Sequence, residues 1–343
     1  MTTSFRTEYS QSLEDTLVIK KTNGYKALDL FAGCGGLGLG FEAAGFETVG
    51  YEMDPDCCRT YEHNLKSKCH QITLNTETQF EAADVVIGGP PCQPFSVGGS
   101  QRGILDSRDG FPAFIHAVET VKPKMWMFEN VRGLLYKNKW YLDEILGRLA
   151  DLGYQIEFQL VKFSDYGVPQ NRERLVVVGH KSHFSYPTKL SAKVTAYDAL
   201  GGFYDYEPED GKYFNSSMDT YVKKYEVASK CINPRDLHRD RPSRTVTCRN
   251  LGGATGDMMR LVVPSGRRRR LLPIEAARLQ SFPDWYEFQG KETSVFKQIG
   301  NAVPPLFSYQ LAEAILDTLE APKSKVTVLA KPAVSPVMQR TFL

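Results

Sequence analysis

Cys92 follows a short apolar run, Val85-Val86-Ile87, that Gly88-Gly89 and Pro90-Pro91 cut short. Such a run, ended by glycine and proline, reads as a buried strand. In an open α/β sheet, ligands sit beyond the carboxyl ends of the strands. A thiol held there on a proline-fixed turn is placed to act as a nucleophile. The plainer reading is a small buried apolar side chain, as most free cysteines are. Other chemistry-bearing residues fall at strand ends too. Glu52 follows Thr48-Val49-Gly50-Tyr51, Glu129 follows Met125-Trp126-Met127-Phe128, and Arg172 and Arg174 precede Leu175 to Val178. A thiol, a carboxyl group and two guanidiniums on one sheet edge suit an electrophilic ring bearing amide-like groups. A cytosine meets that description.

The elements that must position these groups alternate in type. Ala27 to Phe31 is a strand, Gly33-Cys34-Gly35-Gly36-Leu37-Gly38 a glycine turn opening a helix that ends at Gly45, and Thr48 to Tyr51 the next strand. Glycines let the backbone approach a ligand, the helix N-terminus offers N–H donors, and a carboxylate at the second strand's tip can accept ribose hydroxyls. Gly33-x-Gly35-x-x-Gly38 satisfies the dinucleotide fingerprint taken literally. NAD, S-adenosylmethionine and a purely structural turn all remain open on these residues. A helix over 54–70 follows, with Cys58, Tyr61 and Leu65 on one face, then a third strand and loop over 71–83. Helices are expected over 111–121 and 138–152, and strands over Gln155 to Leu160 and Leu175 to Val178. The alternation from 26 to 180 predicts an α/β fold with a doubly wound, mostly parallel sheet.

At 343 residues the chain suggests about two domains, and 42% hydrophobic with 24% charged residues is ordinary for a globular protein. No run of about 18 apolar residues occurs, and the first residues lack a basic-then-apolar signal peptide. A cytoplasmic protein is expected. The seven cysteines form no C-x-x-C pair and no metal spacing with the six histidines, so no metal site is expected. Net charge is only +2, but Arg267-Arg268-Arg269-Arg270 form a run, and Arg235, His238, Arg239, Arg241, Arg244 and Arg249 lie close together. These are candidate phosphate contacts or a solvated basic face. Residues 1–24 read as a flexible leader. From about 181 the periodicity fades, except for a helix around Asp219 to Ala228. A smaller, loop-rich second domain is expected over 181–272. Residues 25–180 and 273–321 form the first domain, with a helix over Leu271 to Phe282, a turn at Gly300 to Pro305 and a last helix over Leu306 to Leu319. Residues 322–343 read as a flexible tail.

Six segments together resemble the DNA (cytosine-5)-methyltransferase family of the bacterial restriction-modification type. They are DLFAGCGGLGLGF at Asp29–Phe41, GGPPCQPFS at Gly88–Ser96, FENVRG at Phe128–Gly133, QNRERLVVVG at Gln170–Gly179, RPSRTVT at Arg241–Thr247 and IGNAVPP at Ile299–Pro305. The resemblance spans nearly the whole chain and implies a Rossmann-like methyltransferase sheet with a target-recognition domain. It implies that Cys92 attacks C6 of cytosine, Glu129 contacts N3 and the exocyclic amine, Arg174 holds O2 and Arg172 supports the Cys92 loop. The target base must leave the duplex stack for this chemistry. For S-adenosylmethionine it implies Phe31, Ala32, Gly33, Gly35, Gly36, Leu37, Glu52, Met53, Gln71, Ile72, Pro91, Asn301 and Ala302. Gln71 stands where many members carry an aspartate, and Met53 where many carry an aromatic residue.

Double-stranded DNA is the implied partner, with the protein acting as a monomer and without metal. The polar, glycine-rich stretch after Cys92 is expected to close over the substrate. Ser96, Gly98, Gly99, Ser100, Gln101 and Arg102 are the implied DNA contacts there, and Arg241, Arg244 and Arg249 those in the second domain. Gly98 stands where some relatives place a side chain that fills the vacated base position, leaving Ser100 or Gln101 for that task. A tRNA cytosine-5 methyltransferase of the same superfamily and a catalytically silent DNA-binding partner are the alternatives.

Overall fold

The computed structural model describes residues 5–92, 109–230, 235–253 and 256–321. The strands are β1 (Lys26–Leu30), β2 (Glu47–Glu52), β3 (Cys69–Gln71), β4 (Val85–Gly88), β5 (Met125–Val131), β6 (Gln155–Lys162), β7 (Gln170–Asn171), β8 (Glu173–His180), β9 (Ser243–Arg244), β10 (Arg260–Val262) and β11 (Arg268–Arg270). The helices are α1 (Glu8–Thr16), α2 (Gly36–Ala43), α3 (Pro55–Asn64), α4 (Phe111–Val121), α5 (Lys139–Asp151), α6 (Ala196–Leu200), α7 (Ser216–Ala228), α8 (Cys248–Gly252), α9 (Pro273–Leu279), α10 (Glu292–Asn301) and α11 (Pro305–Glu320).

Seven strands form the central sheet in the order β3-β2-β1-β4-β5-β8-β6. The first five run parallel, whereas β8 pairs antiparallel with both β5 and β6. The apolar runs are buried on both faces because successive side chains point to opposite sides. Leu28, Leu30, Val86, Trp126 and Phe128 pack with Phe114 of α4 and Leu142 of α5. Ala27, Val85, Ile87, Met125 and Met127 pack on the other face with Phe41 of α2 and Phe307 of α11. The parallel strands therefore all end on one edge, where the chemistry-bearing residues lie.

Helix α3 is shorter than the spacing predicts. Asp54 caps it by accepting from the Asp56 and Cys57 amides, and Leu65 closes it in extended conformation. A helix was not expected over Glu292–Asn301, yet α10 occupies it, so Gly300 and Asn301 are the end of a helix rather than part of a turn.

The flexible-leader expectation is corrected over 8–16. Thr7 and Ser10 form a capping box for α1, and Leu13 and Leu17 are buried against Ala196, Leu200 and Phe203. One apolar anchor within a polar nine-residue helix and a second at its C-cap leave little periodic signal. The segment 181–272 does not carry an independent core among its described residues. Leu237, Val246, Leu251, Met259 and Leu261 share one cluster with Tyr61 of α3, Ala276 of α9 and Ile299 of α10, and only Phe214, Val222 and Met258 form a small separate cluster. The expected tail, 322–343, lies outside the described residues. Among the described residues, no helix is long and apolar enough to cross a membrane.

Candidate active site

Strand β4 delivers Cys92 to the sheet edge. A Cβ on Gly88 would fall 2.6 Å from the Leu30 carbonyl, so the strand can pass β1 this closely only with glycine there. Pro90-Pro91 then turn the chain, and the Asn130 side-chain amide donates to the Pro90 carbonyl at 2.9 Å. Cys92 is 8% exposed and makes an antiparallel bridge with Asp109. Tyr141 donates its hydroxyl to the same Asp109. Burial, and then the Asp109 carboxylate, push the Cys92 thiol up to about 12, because both disfavour a thiolate. Both effects favour the neutral thiol over the thiolate.

Glu129 is carried on β5, next to β4 and β8, and is 9% exposed. Its Oε1 lies 2.9 Å from Nε of Arg174 on β8, an ion pair without hydrogen-bond alignment. Arg174 also donates from Nη1 to the Glu173 carbonyl at 2.8 Å. Arg172 is buried and donates from Nη1 to the carbonyls of Val246 at 2.8 Å and Gly300 at 3.0 Å. These bonds tie the link between β7 and β8 to the segments at 246 and 300; the loop after Cys92, which Arg172 is expected to support, lies outside the described residues. Burial, then repulsion from Arg174, lower the Arg172 pKa; an arginine so lowered is still a cation at neutral pH.

Glu52 ends β2 as a prepared acceptor. Gly33 N donates to its Oε2 at 2.9 Å, and the Met53 and Asp54 amides donate to its Oε1 at 2.8 Å. One carboxylate has about four acceptor positions, so Oε2 keeps capacity for a ligand hydroxyl. Gly33 and Phe31 both have left-handed backbone, at φ 55° and 57°. A Cβ on Gly33 would meet nothing within 4 Å, which leaves the turn open on its ligand side. Gly36 instead packs on the Val303 carbonyl and Ala302, which brings Asn301 and Ala302 to the turn. A Cβ on Gly110 would fall 2.9 Å from Phe31 and 2.5 Å from Pro91, so those two rings converge. Gln71 pairs in register with Glu52, and Met53 and Ile72 are 64% and 40% exposed. Ala32 and Leu37 are buried beneath the turn, and Gly35, at φ 85°, caps α2. The open turn, the spare carboxylate acceptor and the exposed apolar tips fit a ligand with an adenosine portion.

Sequence reasoning passed over Asn130, Asp109, Tyr141 and Gln170. Gln170 is fully buried, donates to the Leu279 carbonyl at 2.9 Å and accepts from Val246 N at 2.9 Å. Only the position of Asn130, directly after Glu129, offered a signal.

On the basic side, Arg241, Arg244 and Arg249 are exposed. Within β11 the pleat turns Arg269 away from Arg268 and Arg270, and Arg267 lies just before the strand. Arg269 is buried in a two-oxygen ion pair with Glu275, at 2.6 and 2.9 Å. Arg268 pairs with Asp219 and Asp236, and Arg267 with Glu207. Ser96, Gly98, Gly99, Ser100, Gln101 and Arg102 lie outside the described residues. Among the described residues, no group of three or more His, Cys, Asp or Glu side chains is arranged to hold a metal.

A family profile described as C-5 cytosine-specific DNA methylase matches residues 25–317. The Type II methyltransferase M.AplI of Arthrospira platensis is 52% identical over 303 residues, covering 88% of this chain and 88% of that protein. The Type II methyltransferase M.NgoFVII of Neisseria gonorrhoeae is 32% identical over 350 residues, covering 90% and 91%. Among solved structures, a putative DNA modification methyltransferase encoded within an E. coli prophage superposes with a TM-score of 0.64 at 24% identity, covering 86% of this chain and 99% of that one. The Entamoeba histolytica methyltransferase EhMeth superposes with a TM-score of 0.66 at 18% identity, covering 88% and 99%. These two structural likenesses speak to the fold.

Proposed function

The chain belongs to the C-5 cytosine-specific DNA methylase family, and from that membership we propose that it methylates C5 of one cytosine, flipped out of a specific duplex DNA sequence, through a covalent Cys92–C6 adduct. The observation that carries this reading is the placement of Cys92 beyond β4 and of Glu129 beside Arg174 on the neighbouring β5 and β8.

Cys92 forms the S–C6 bond and loses its proton as it does so. Burial and Asp109 disfavour its thiolate before the base is bound. Glu129 meets the N3 and amine edge, where it supports protonation of N3 as electrons move into the ring. Arg174 stands beside it as the compensating charge, in position for the cytosine O2. C5, now enamine-like, becomes methylated, releases its proton, and the S–C6 bond breaks to return Cys92. S-adenosylmethionine supplies the electrophilic methyl group when bound. Glu52 accepts from its ribose, Phe31, Met53 and Ile72 pack on its adenine with Gln71 at the rim, and Gly33, Gly35 and Gly36 allow the chain to pass. Pro91, Asn301 and Ala302 close the pocket above Ala32 and Leu37.

The relatives named Type II methyltransferases support a role in protecting DNA beside a restriction nuclease. Residues 181–272 are proposed as the DNA-facing region, with Arg241 and Arg244 on phosphates.

The test is methyl transfer to plasmid DNA, mapped by bisulfite sequencing, with Cys92→Ala alongside. Wild-type protein marks one sequence context, and Cys92→Ala marks none while still binding the cofactor. Turnover by Cys92→Ala would overturn the covalent route.

A further inference from the structure

Asp257 sits between two arginines that it holds in different ways. Its Oδ1 lies 3.0 Å from Nη2 of Arg235. Its Oδ2 takes Nε of Arg249 at 2.7 Å and lies 2.6 Å from Nη2. Arg235 is mostly buried, donates to the Gly256 carbonyl at 2.8 Å and lies 5.9 Å from the Tyr225 ring centroid. Its contacts account for it as a structural residue. Arg249, by contrast, is 79% exposed along its side chain. One carboxylate against two guanidiniums leaves one positive charge over, and Arg249 presents it outward.

An exposed arginine ordinarily samples many rotamers, which must be given up on binding. Asp257 removes that freedom in advance by gripping the inner edge of the fork. The grip is the Nε hydrogen bond to Oδ2, with Nη2 in ion-pair contact with the same oxygen. The outer edge, Nη1 and the second Nη2 hydrogen, meets no acceptor among the described residues. Two parallel N–H donors of this kind match the O6 and N7 acceptors of guanine in the major groove. A phosphate would also accept them, but a phosphate contact carries no sequence information, so its loss would lower the rate without changing the sequence context.

The backbone beneath Arg249 is equally fixed. Thr247 and Asn250 form a capping box for α8. A Cβ on Gly300 would clash with the Cys248 amide, so α8 lies directly on the end of α10. Val246 is held from both sides, its amide by Gln170 and its carbonyl by Arg172. Arg172 lies two residues from Arg174, the partner of Glu129. Arg249 is thus tied through a short, rigid path to the site of the target base. Neither Arg241, whose ion pair is with its neighbour Asp240 at 3.7 Å, nor Arg244 has a comparable hold among the described residues.

We propose that Arg249, aligned by Asp257, reads a guanine of the recognition sequence through a two-donor contact in the major groove. This inference rests on the DNA methyltransferase reading above. It is tested by bisulfite sequencing of plasmid DNA methylated by the full-length protein, by Arg249→Lys, Arg249→Ala and Asp257→Asn. A cognate duplex in which each guanine in turn is 7-deazaguanine is then assayed with wild type and Arg249→Lys.

The wild-type context is expected to contain one guanine that becomes degenerate in both Arg249 variants and partly so in Asp257→Asn. At that guanine, 7-deaza substitution costs wild type about 10- to 100-fold in kcat/KM, with no further loss in Arg249→Lys. Should the variants turn over too slowly, Kd for the same duplexes gives the same comparison. An unchanged context with a uniformly lower rate, or a 7-deaza effect that persists in Arg249→Lys, overturns the inference alone. Absence of methylcytosine with wild-type protein overturns the methyltransferase reading and the inference with it.

Discussion

The side-chain amide of Asn130 donates to the carbonyl of Pro90 at 2.9 Å. Asn130, directly after Glu129, therefore holds the turn directly before Cys92. This bond is buried, so it couples the positions of Glu129 and Cys92 across two parallel strands. Losing one partner of a buried hydrogen bond costs about 1–3 kcal/mol, and small misplacements of reacting groups cost up to about 100-fold in rate. Asn130→Ala is expected to lower kcat for methyl transfer by about 10- to 100-fold while leaving cofactor affinity within about twofold. Single-turnover kinetics together with equilibrium cofactor binding check this; equal losses in both would place the defect in folding instead.

The raised pKa of Cys92, up to about 12, sets the sign of its pH dependence. The thiolate is the reactive form, so raising the pKa lowers the reactive fraction at neutral pH, and that fraction climbs about tenfold per pH unit. Alkylation of Cys92 in the free protein is expected to be slow at pH 7 and to rise by about tenfold per unit between pH 7 and 10. Exposed Cys248 is expected to react first. Peptide mapping by mass spectrometry after timed iodoacetamide treatment separates the two. Rapid labelling of Cys92 at pH 7 would show that the resting thiol is not sequestered.

Arg269 and Glu275 are both fully buried and joined by two short contacts. Removing one partner leaves an uncompensated charge, at a cost of about 3–5 kcal/mol. Glu275→Gln and Arg269→Met are each expected to lower stability by about that amount in urea unfolding, with the double variant recovering part of the loss. The same substitution at exposed Arg267 is expected to change stability by less than about 1 kcal/mol. Equal effects at 267 and 269 would remove the distinction between the exposed and the buried ion pair.

Much of this architecture is local in origin. Apolar runs stopped by glycine or proline marked β1 and β4, and the apolar run ending at Glu129 marked β5, because a strand buried on both faces needs such a run. The same pattern put Cys92, Glu129 and Glu52 at strand ends without knowledge of any partner. Helices α4 and α5 were legible for a similar reason, since one wall of each is apolar at helical spacing.

Tertiary structure decided what depends on distant partners. The antiparallel placement of β8 between β5 and β6 comes from pairing across the sheet, which the residues of β8 do not announce. The carbonyl partners of Arg172 are 74 and 128 positions away, a pairing that no local pattern announces. Four consecutive arginines read as one basic patch until packing buried Arg269 against Glu275 and left Arg267, just before β11, exposed beside Glu207. Asp109 raises the Cys92 pKa only because the two backbones meet in a bridge. Residue type and period determined which chemistry the chain carries and on which edge. Long-range packing determined which charges are neutralised, which thiol is held in reserve, and which arginine is left facing outward.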